Sequence, residues 1–380
     1  MTYAPLLTQD FEAMRCDYSA GASGHAGIHN DTNRAIKTLH DLVSVGVMPV
    51  TAPDFGADST GAIDSTDAIQ DAIDSHGDVY LPAGTYKVSA LTIPDRTVIR
   101  AHPRAQLWVH GNGVDPAILM AGSHIRMFGV RGLMVTGSAP AGIMSEGGAN
   151  DIRLENVEFD GAWLLTEGVI VISGDNAYWD FVGGDYTQAY GHIIDLRSAA
   201  VAFNWWGGHY HFTDGYVLNQ RGGGNTNPLA MQMTGTVLEG GIAGQMFAAS
   251  LHGSSFTQCH FENSSNAECV PIVIGAPGED GGQCMGVDFI ACNVNAERAP
   301  YCISFEGQGV SRAISMRSSR LSGQSGYLAA AIDAKRVWDS SFMNNRVVPN
   351  GSTHVLMTGD GYSAQNIVVQ DETSFEAHNL

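Results

Sequence analysis

The stretch Phe256-Thr-Gln-Cys-His-Phe261-Glu262 recurs in altered form along this 380-residue chain, and its recurrence decides the fold. The seven residues read as apolar, polar, small, small, polar, apolar, polar. The first residues of the successive copies are Leu154, Phe181, Trp205, Met233, Phe256, Phe289, Met316 and, in a looser copy, Trp338. A period in the twenties is typical of a solenoid, in which each repeat forms one coil.

The first and sixth residues of the repeated phrase are almost wholly apolar. The sixth residues are Phe159, Tyr186, Tyr210, Leu238, Phe261, Val294, Leu321 and Met343. Alternation along two short strands that meet at a corner puts both columns on the same side, so both are predicted to point inward. A β-sandwich would not keep one phrase in phase over eight copies, because its turns recur every roughly 8–12 residues. The pattern therefore predicts an all-β parallel β-helix, with coils about 4.8 Å apart.

The charge balance excludes one class of partner. Lys and Arg number 19 against 39 Asp and Glu, giving a formal net charge of −20. Nucleic acid is not expected to bind, since phosphate contacts need clustered basic residues. No apolar run reaches the length of a membrane span, and the first residues show no secretory signal, so membrane insertion is not expected.

Cysteines occupy the fourth position of two successive copies, at Cys259 and Cys292. They should therefore stack in neighbouring coils. The sequence leaves open whether they form a disulfide or remain buried free thiols that act as small apolar residues.

Residues 1–50 do not share the repeat and are predicted to be an attachment or oligomerisation segment. Ile36, Leu39, Val43 and Val47 have helical spacing and form an apolar stripe. This short helix either lies against the body, associates about a threefold axis or docks into a larger assembly; the sequence does not choose between these roles.

The segment that follows has three parts: Asp54-Phe-Gly-Ala-Asp58, a helix predicted near 65–75, and Val79-Tyr-Leu-Pro-Ala-Gly-Thr-Tyr86. The predicted helix has a capping residue at Asp64 or Ser65 and an apolar stripe that includes Ile69 and Ile73. A helix in front of a stack of coils is expected to cover the open apolar end of the solenoid.

Residues 54–86 resemble the opening signature of the pectate-lyase-like right-handed β-helix superfamily, in the branch that contains phage tailspikes and polysaccharide depolymerases. The resemblance implies a right-handed β-helix over 51–375, followed by a tail at 376–380. It further implies a tailspike-like or tail-fibre-like virion protein that binds, and possibly cleaves, host surface polysaccharide. A homotrimer in the virion tail, acting extracellularly and joined to other tail proteins through residues 1–50, would follow.

The chain departs from that family in several ways. No Asn-Thr-Asp-Gly motif, adjacent Asp-Asp pair or calcium-spaced aspartate cluster is found, and no separate carboxy-terminal domain fits. Fold alone does not establish activity. A free polysaccharide lyase or glycoside hydrolase without a virion role therefore stays open.

Positions five and seven of the phrase flank an inward residue and should face solvent together, forming a polar stripe. In its middle the predicted catalytic residues are Asp185, Glu239 and Glu262, and the predicted substrate-binding residues are Trp206, His209, His211, His260 and Arg320. Carboxylates beside a flat aromatic surface suit sugar chemistry, which needs an acid, a base or nucleophile, and a platform for the ring. The alternative is a solvated face of exposed acids.

Two chemistries fit the stripe. Glu239 and Glu262 fall in consecutive coils, so their carboxyl groups should lie near the roughly 5–5.5 Å separation of retaining glycosidases. Asp185 with His209 would instead suit a β-elimination, which wants a cation near the substrate carboxylate. His209-x-His211 is not interpreted as a metal pair because no third ligand is assured; no metal or cofactor is predicted.

Overall fold

The computed structural model describes residues 47–370 except 148, 174–177, 198–201, 222–229, 264–267, 276–283, 307–310, 325–326, 329–330, 335–336, 350–356 and 359–367. Apart from Val47, the predicted helix over Ile36–Val47 lies outside these residues, as do nearly all of the segment 1–50 and the tail 376–380. The described chain is a parallel β-solenoid of about ten turns, and one helix is found in it. No described helix is long and apolar enough to span a membrane.

Three sheets run along the solenoid, and most coils contribute one strand to each of them. Sheet A contains β1 (Met48–Pro49), β3 (Asp78–Leu81), β6 (Val98–Ala101), β9 (Arg126–Phe128), β12 (Ile152–Glu155), β15 (Tyr178–Val182), β18 (Ala202–Trp206), β21 (Ala230–Thr234), β24 (His252–Thr257), β27 (Met285–Ile290), β30 (Ser311–Arg317), β33 (Val337–Trp338), β34 (Ser341–Met343) and β37 (Val368–Gln370).

Sheet B follows sheet A within each coil and carries the surface of interest below. It contains β2 (Thr60–Asp64), β4 (Gly84–Val88), β7 (Ala105–His110), β10 (Arg131–Thr136), β13 (Glu158–Asp160), β16 (Asp185–Ala189), β19 (His209–Thr213), β22 (Val237–Gly241), β25 (His260–Glu262), β28 (Asn293–Asn295), β31 (Arg320–Gly323) and β35 (Arg346–Pro349).

From the second coil onward, sheet C closes the coil before the chain returns to sheet A. It contains β5 (Leu91–Ile93), β8 (Ile118–Met120), β11 (Ala139–Glu146), β14 (Leu165–Ser173), β17 (His192–Leu196), β20 (Tyr216–Gln220), β23 (Gly244–Ala248), β26 (Ile272–Ile274), β29 (Ile303–Phe305), β32 (Ile332–Ala334) and β36 (Met357–Thr358). The first strand, β1, pairs with β3, so the solenoid starts within the last residues of the segment 1–50.

The repeated phrase spans the corner between sheets A and B, and its third residue makes the turn. In each copy from 154 to 316 this residue has a positive φ, as in Asn156 (51°), Gly207 (71°) and Ser318 (53°). The left-handed conformation turns the chain at the corner and is adopted most readily by glycine, which explains why glycine and small polar residues dominate this position. The corner predicted from the sequence is therefore confirmed.

The two apolar columns predicted from the phrase are confirmed for seven of the eight copies. Leu154 pairs with Phe181, Phe181 with Trp205, and Phe256 with Phe289, all in parallel register. The rings of Phe181 and Trp205 stack at 4.9 Å and 4° between planes. Stacked aromatic pairs contribute about 0.5–1.5 kcal/mol beyond the burial of their apolar area, so these columns stabilise adjacent coils.

The predicted start of the eighth copy, at Trp338, is wrong. Met316 pairs with Phe342, not with Trp338, and Leu321 pairs with Val347, not with Met343. The true phrase begins at Phe342, which puts Asn344 at the corner position with a φ of 54°. Trp338 belongs to β33 and pairs with Arg312 instead.

The helix predicted near 65–75 is confirmed as α1 (Thr66–His76). Its apolar side, Ile69, Ala72 and Ile73, is buried, and α1 packs against β1, β3 and β5 at the amino-terminal end of the stack. The helix ends at Gly77, whose φ of 67° gives the left-handed cap that favours glycine. This helix therefore covers the first coil, as the sequence predicts.

The cysteines in the described residues all have free thiols. Cys259 and Cys292 are buried in adjacent coils, as predicted, and their thiols contact the backbone carbonyls of Met233 and Phe256 at 3.4 and 3.2 Å. Burial likewise raises the pKa of Cys302 to about 12, which keeps that thiol protonated and unreactive. Cys259, Cys284, Cys292 and Cys302 act here as small core residues.

Candidate functional site

The outer face of sheet B carries two adjoining columns of side chains, at positions five and seven of the phrase. The register pairs Asp185 with His209 and Thr187 with His211, then His211 with Glu239 and Glu239 with Glu262. Alternation places Tyr186, Tyr210, Leu238 and Phe261 inward between these polar residues, where all are buried. The predicted stripe of outward polar residues is therefore present as a continuous face.

Imidazole–carboxylate pairs cross this face diagonally. Nε2 of His211 lies 2.8 Å from Oδ1 of Asp185 in the preceding coil, and Nε2 of His209 lies 2.8 Å from Oε1 of Glu239 in the following coil. The two imidazole rings stack at 3.9 Å with only 6° between their planes. Four predicted site residues thus form one cluster, which we call the His–acid cluster: Asp185, His209, His211 and Glu239.

The next coil repeats the pairing within one strand. Nε2 of His260 lies 2.6 Å from Oε2 of Glu262, while Nδ1 of His260 lies 2.8 Å from Nδ2 of Asn293. An amide nitrogen can only donate, so in the neutral ring the proton sits on Nε2 and is donated to Glu262. A carboxylate held in this way suits a base or nucleophile better than a proton donor.

A cavity of about 360 Å³ opens on the same face, on the amino-terminal side of the His–acid cluster. It is lined by Arg104, Ala105, Gln106, Arg131, Gly132, Leu133, Glu158, Phe159, Asp160, Asp185 and Thr187. Arg131 forms an ion pair with Glu158 at 2.6 Å, whereas Arg104 has no side-chain ion pair within the part of the chain that the structure describes. Because Asp185 belongs to both, the cavity and the cluster form one site.

Sequence reasoning found Asp185 but missed the cavity residues that precede residue 150, Arg104, Gln106 and Arg131 among them, because those coils do not carry the phrase clearly. One signal was available: Arg131 precedes Glu158 by the same step of 27 residues that separates Glu158 from Asp185. The structure thus brings Arg104 and Arg131, rather than Arg320, to the cavity that Asp185 lines, where a β-elimination would need a cation.

Two predicted binding residues lie apart from the cluster. Arg320 is five coils beyond Asp185, or about 24 Å along the stack, and lines a second cavity of about 260 Å³. Trp206 is 45% exposed, as predicted, but it belongs to sheet A, across the Gly207–Gly208 corner from His209. Sheet B has its own exposed tryptophan, Trp108, in the column that continues through Leu133 to Asp160.

Fold and surface together define the class: a right-handed parallel β-helix with an acid- and histidine-rich face along one sheet. A family profile described as rhamnogalacturonase A/epimerase, pectate lyase-like, matches residues 50–161. No curated protein sequence matches the chain.

Solved structures share this fold. They include DFA-IIIase from Arthrobacter chlorophenolicus A6, at 12% identity and a TM-score of 0.61, with 85% of this chain and 94% of that chain covered. The ORF18 protein of Geobacillus virus E2 has 11% identity and a TM-score of 0.54, with 88% and 64% covered. Tailspike protein 3 of bacteriophage CBA120 has 10% identity and a TM-score of 0.52, with 88% and 61% covered. The chain thus spans less than two thirds of either viral protein, and the likeness shows the fold alone.

Proposed function

We propose that the chain binds a polysaccharide along the outer face of sheet B, from the 360 Å³ cavity to Glu262. The observation that carries this proposal is the continuity of the cavity with the His–acid cluster through Asp185. A linear glycan needs an extended face with several hydrogen-bonding groups, and parallel coils supply such groups about every 4.8 Å. The family profile over residues 50–161, described as rhamnogalacturonase A/epimerase, pectate lyase-like, supports the same reading.

The test is a panel of bacterial and algal polysaccharides, with binding followed by affinity electrophoresis and cleavage by reducing ends and by absorbance of unsaturated uronates. Leu133→Glu places a charge in the cavity and should weaken binding at least about tenfold. Val135→Glu is the matched control, because Val135 lies in the same strand, is 36% exposed and does not line the cavity. Equal affinity of both variants for a bound polysaccharide would contradict the proposal.

For the biological role we propose a tailspike-like virion protein that acts extracellularly, as a homotrimer held to other tail proteins by residues 1–50. The fold shared with a phage tailspike supports this role. Light scattering should give three chains per particle, and deletion of residues 1–46 should prevent incorporation into virions while the β-helix still folds. A stable monomer at micromolar concentration would contradict the homotrimer.

The second candidate is a free carbohydrate-active enzyme, a lyase or hydrolase, and the family profile over residues 50–161 favours it. A free enzyme should turn over its substrate unchanged after residues 1–46 are removed. Only the tailspike role also requires that this deletion abolish incorporation into virions, and that readout separates the two roles.

A further inference from the structure

The strongest unassigned feature is the donor geometry of the His–acid cluster. His209 and His211 are two residues apart in β19, so both side chains leave the same face of the strand. Asp185 in β16 sits beside them, and the ligating atoms of these three residues all lie within 4.8 Å of one another. The sequence alone did not identify a third ligand for the His209-x-His211 pair. In the structure, the parallel pairing of β16 with β19 places Asp185 beside both histidines.

We propose that Asp185, His209 and His211 bind a divalent transition-metal ion of the zinc class, with Glu239 as fourth ligand. Oε1 of Glu239 lies 2.8 Å from Nε2 of His209, and Oδ1 of Asp185 lies 2.8 Å from Nε2 of His211. Metal–ligand bonds of about 2.0–2.2 Å in a tetrahedral site require ligand atoms roughly 3.3 Å apart. The separations present, from 2.8 to at most 4.8 Å among the three nearest residues, bracket that value. Small side-chain rotations therefore suffice.

The surroundings of His211 support a bound ion. Its Nδ1 atom is buried without a hydrogen-bond partner among the described residues, and so is Oγ1 of Thr187, the residue directly beside it in the ladder. A metal-bound imidazole carries its proton on the other nitrogen and usually donates it to a neighbouring acceptor. With the ion on Nε2, Nδ1–H of His211 can donate to Thr187, which satisfies both buried groups.

The donor set and the charge select the ion. Two imidazoles and two carboxylates suit zinc, nickel or cobalt, whereas calcium and magnesium prefer an all-oxygen shell. The side chain of Asp185 is 51% exposed and that of His211 is 13% exposed, so the site is open on one side and backed by protein on the other. A net charge of −20 favours accumulation of cations at such a surface.

The neighbouring pair His260–Glu262 provides an internal contrast. Both ring nitrogens of His260 already have partners, Glu262 and Asn293. The ring therefore offers no free nitrogen, and the proposed site ends at Glu239.

The experiment uses the untagged full chain, stripped with EDTA and titrated with Zn²⁺ in a calorimeter. One ion per chain should bind, and His211→Ala should weaken its binding at least about a hundredfold; Thr187→Val should weaken it about tenfold, the lower end for residues behind a ligand. His260→Ala is the matched control and should leave the affinity unchanged. Co²⁺ should give visible absorption of a tetrahedral site that His211→Ala removes.

The proposal is overturned if the wild-type chain binds no stoichiometric ion, or if His211→Ala and His260→Ala behave alike while circular dichroism shows both variants folded. The titration needs no polysaccharide. Its failure would leave the proposed glycan face untouched, and a failed polysaccharide panel would leave the metal site untouched.

Discussion

The imidazole rings of His209 and His211 lie face to face, 3.9 Å between centroids, and each has its Nε2 atom 2.8 Å from a carboxylate oxygen in a different neighbouring coil. Between them in the strand, Tyr210 points inward and stacks on Tyr186 at 5.1 Å. A slip of one residue in this strand would bury both histidines and expose the tyrosine. The site on the surface is therefore held in place by the aromatic column beneath it.

Substitutions of Tyr186 test what this aromatic column contributes to the free energy of unfolding. Its hydroxyl is buried and has no hydrogen-bond partner in the described part of the chain. Tyr186→Phe keeps the stack and removes the unpaired hydroxyl, so the free energy of unfolding should stay the same or rise. Tyr186→Ala should lower it by about 3–5 kcal/mol, as expected for loss of a buried aromatic ring. Urea unfolding followed by fluorescence measures both; a clear loss of stability in the Phe variant would show that the hydroxyl has a partner.

The buried side chain of His192 should make the free energy of unfolding depend on pH. Burial lowers the pKa of His192, and the backbone N–H of Tyr216 donates to Nδ1 at 3.0 Å, which also requires an unprotonated nitrogen. The unfolded chain, with a histidine pKa of about 6.5, therefore binds the proton more tightly than the folded chain. The contribution of His192 to stability is fully present above pH 6.5 and is lost as the pH falls below that value.

His192→Gln should flatten this part of the profile. The difference between the urea midpoints at pH 7.5 and pH 5.5 should be smaller in the variant than in the wild type. His76→Gln, at the exposed end of α1, is the control and should keep the wild-type difference. An unchanged difference in His192→Gln would mean that other groups set the acid sensitivity.

The sequence predicts the β-helix because the same two inward positions are apolar in successive coils. One irregular copy therefore does not hide the pattern. The prediction failed at Trp338, where two serines after an aromatic residue mimic the phrase; the left-handed corner at Asn344 sets the true register. The columns of the site follow from the same register. The diagonal pairing of His209 with Glu239 cannot be predicted from that register, since it depends on side-chain rotamers.

The sequence did not predict which tryptophan and which arginines lie at the site, and the reason is different. Trp206 and His209 are three residues apart, yet a corner at Gly207–Gly208 places them on different sheets. Arg131 and Asp185 are far apart in the chain, yet they line one cavity, because two coils bring them together. In a solenoid, residues at equivalent positions of adjacent coils are neighbours in space, even when they are far apart in the chain.

Glu239 and Glu262 carry the prediction about catalysis. Their Cα atoms are ladder partners, and each carboxylate is held by a histidine. The double change Glu239→Gln and Glu262→Gln keeps shape and removes charge, so cleavage of a polysaccharide identified by the panel should slow at least about a hundredfold. The control is Glu155→Gln, which removes an outward acid of sheet A that pairs with Arg153. Full activity in the double variant, with normal circular dichroism, would exclude the two glutamates as the catalytic pair.

The last prediction decides which sheet the glycan follows. Trp108 lies on the outer face of β7, is 36% exposed, and donates from Nε1 to Oε1 of Gln106, a residue that lines the cavity. This hydrogen bond holds the indole beside the cavity, where a sugar ring can stack on it. An aromatic contact is worth about 0.5–1.5 kcal/mol, so Trp108→Ala should weaken polysaccharide binding roughly two- to tenfold.

Trp206→Ala is the matched comparison, because it removes an indole of similar exposure from sheet A. A glycan on sheet B should lose affinity only in Trp108→Ala, whereas the original prediction from the sequence requires the loss in Trp206→Ala. Calorimetry with one bound polysaccharide compares both variants with the wild type. If only Trp206→Ala weakens binding, the glycan follows sheet A, and the His–acid cluster is not part of its path.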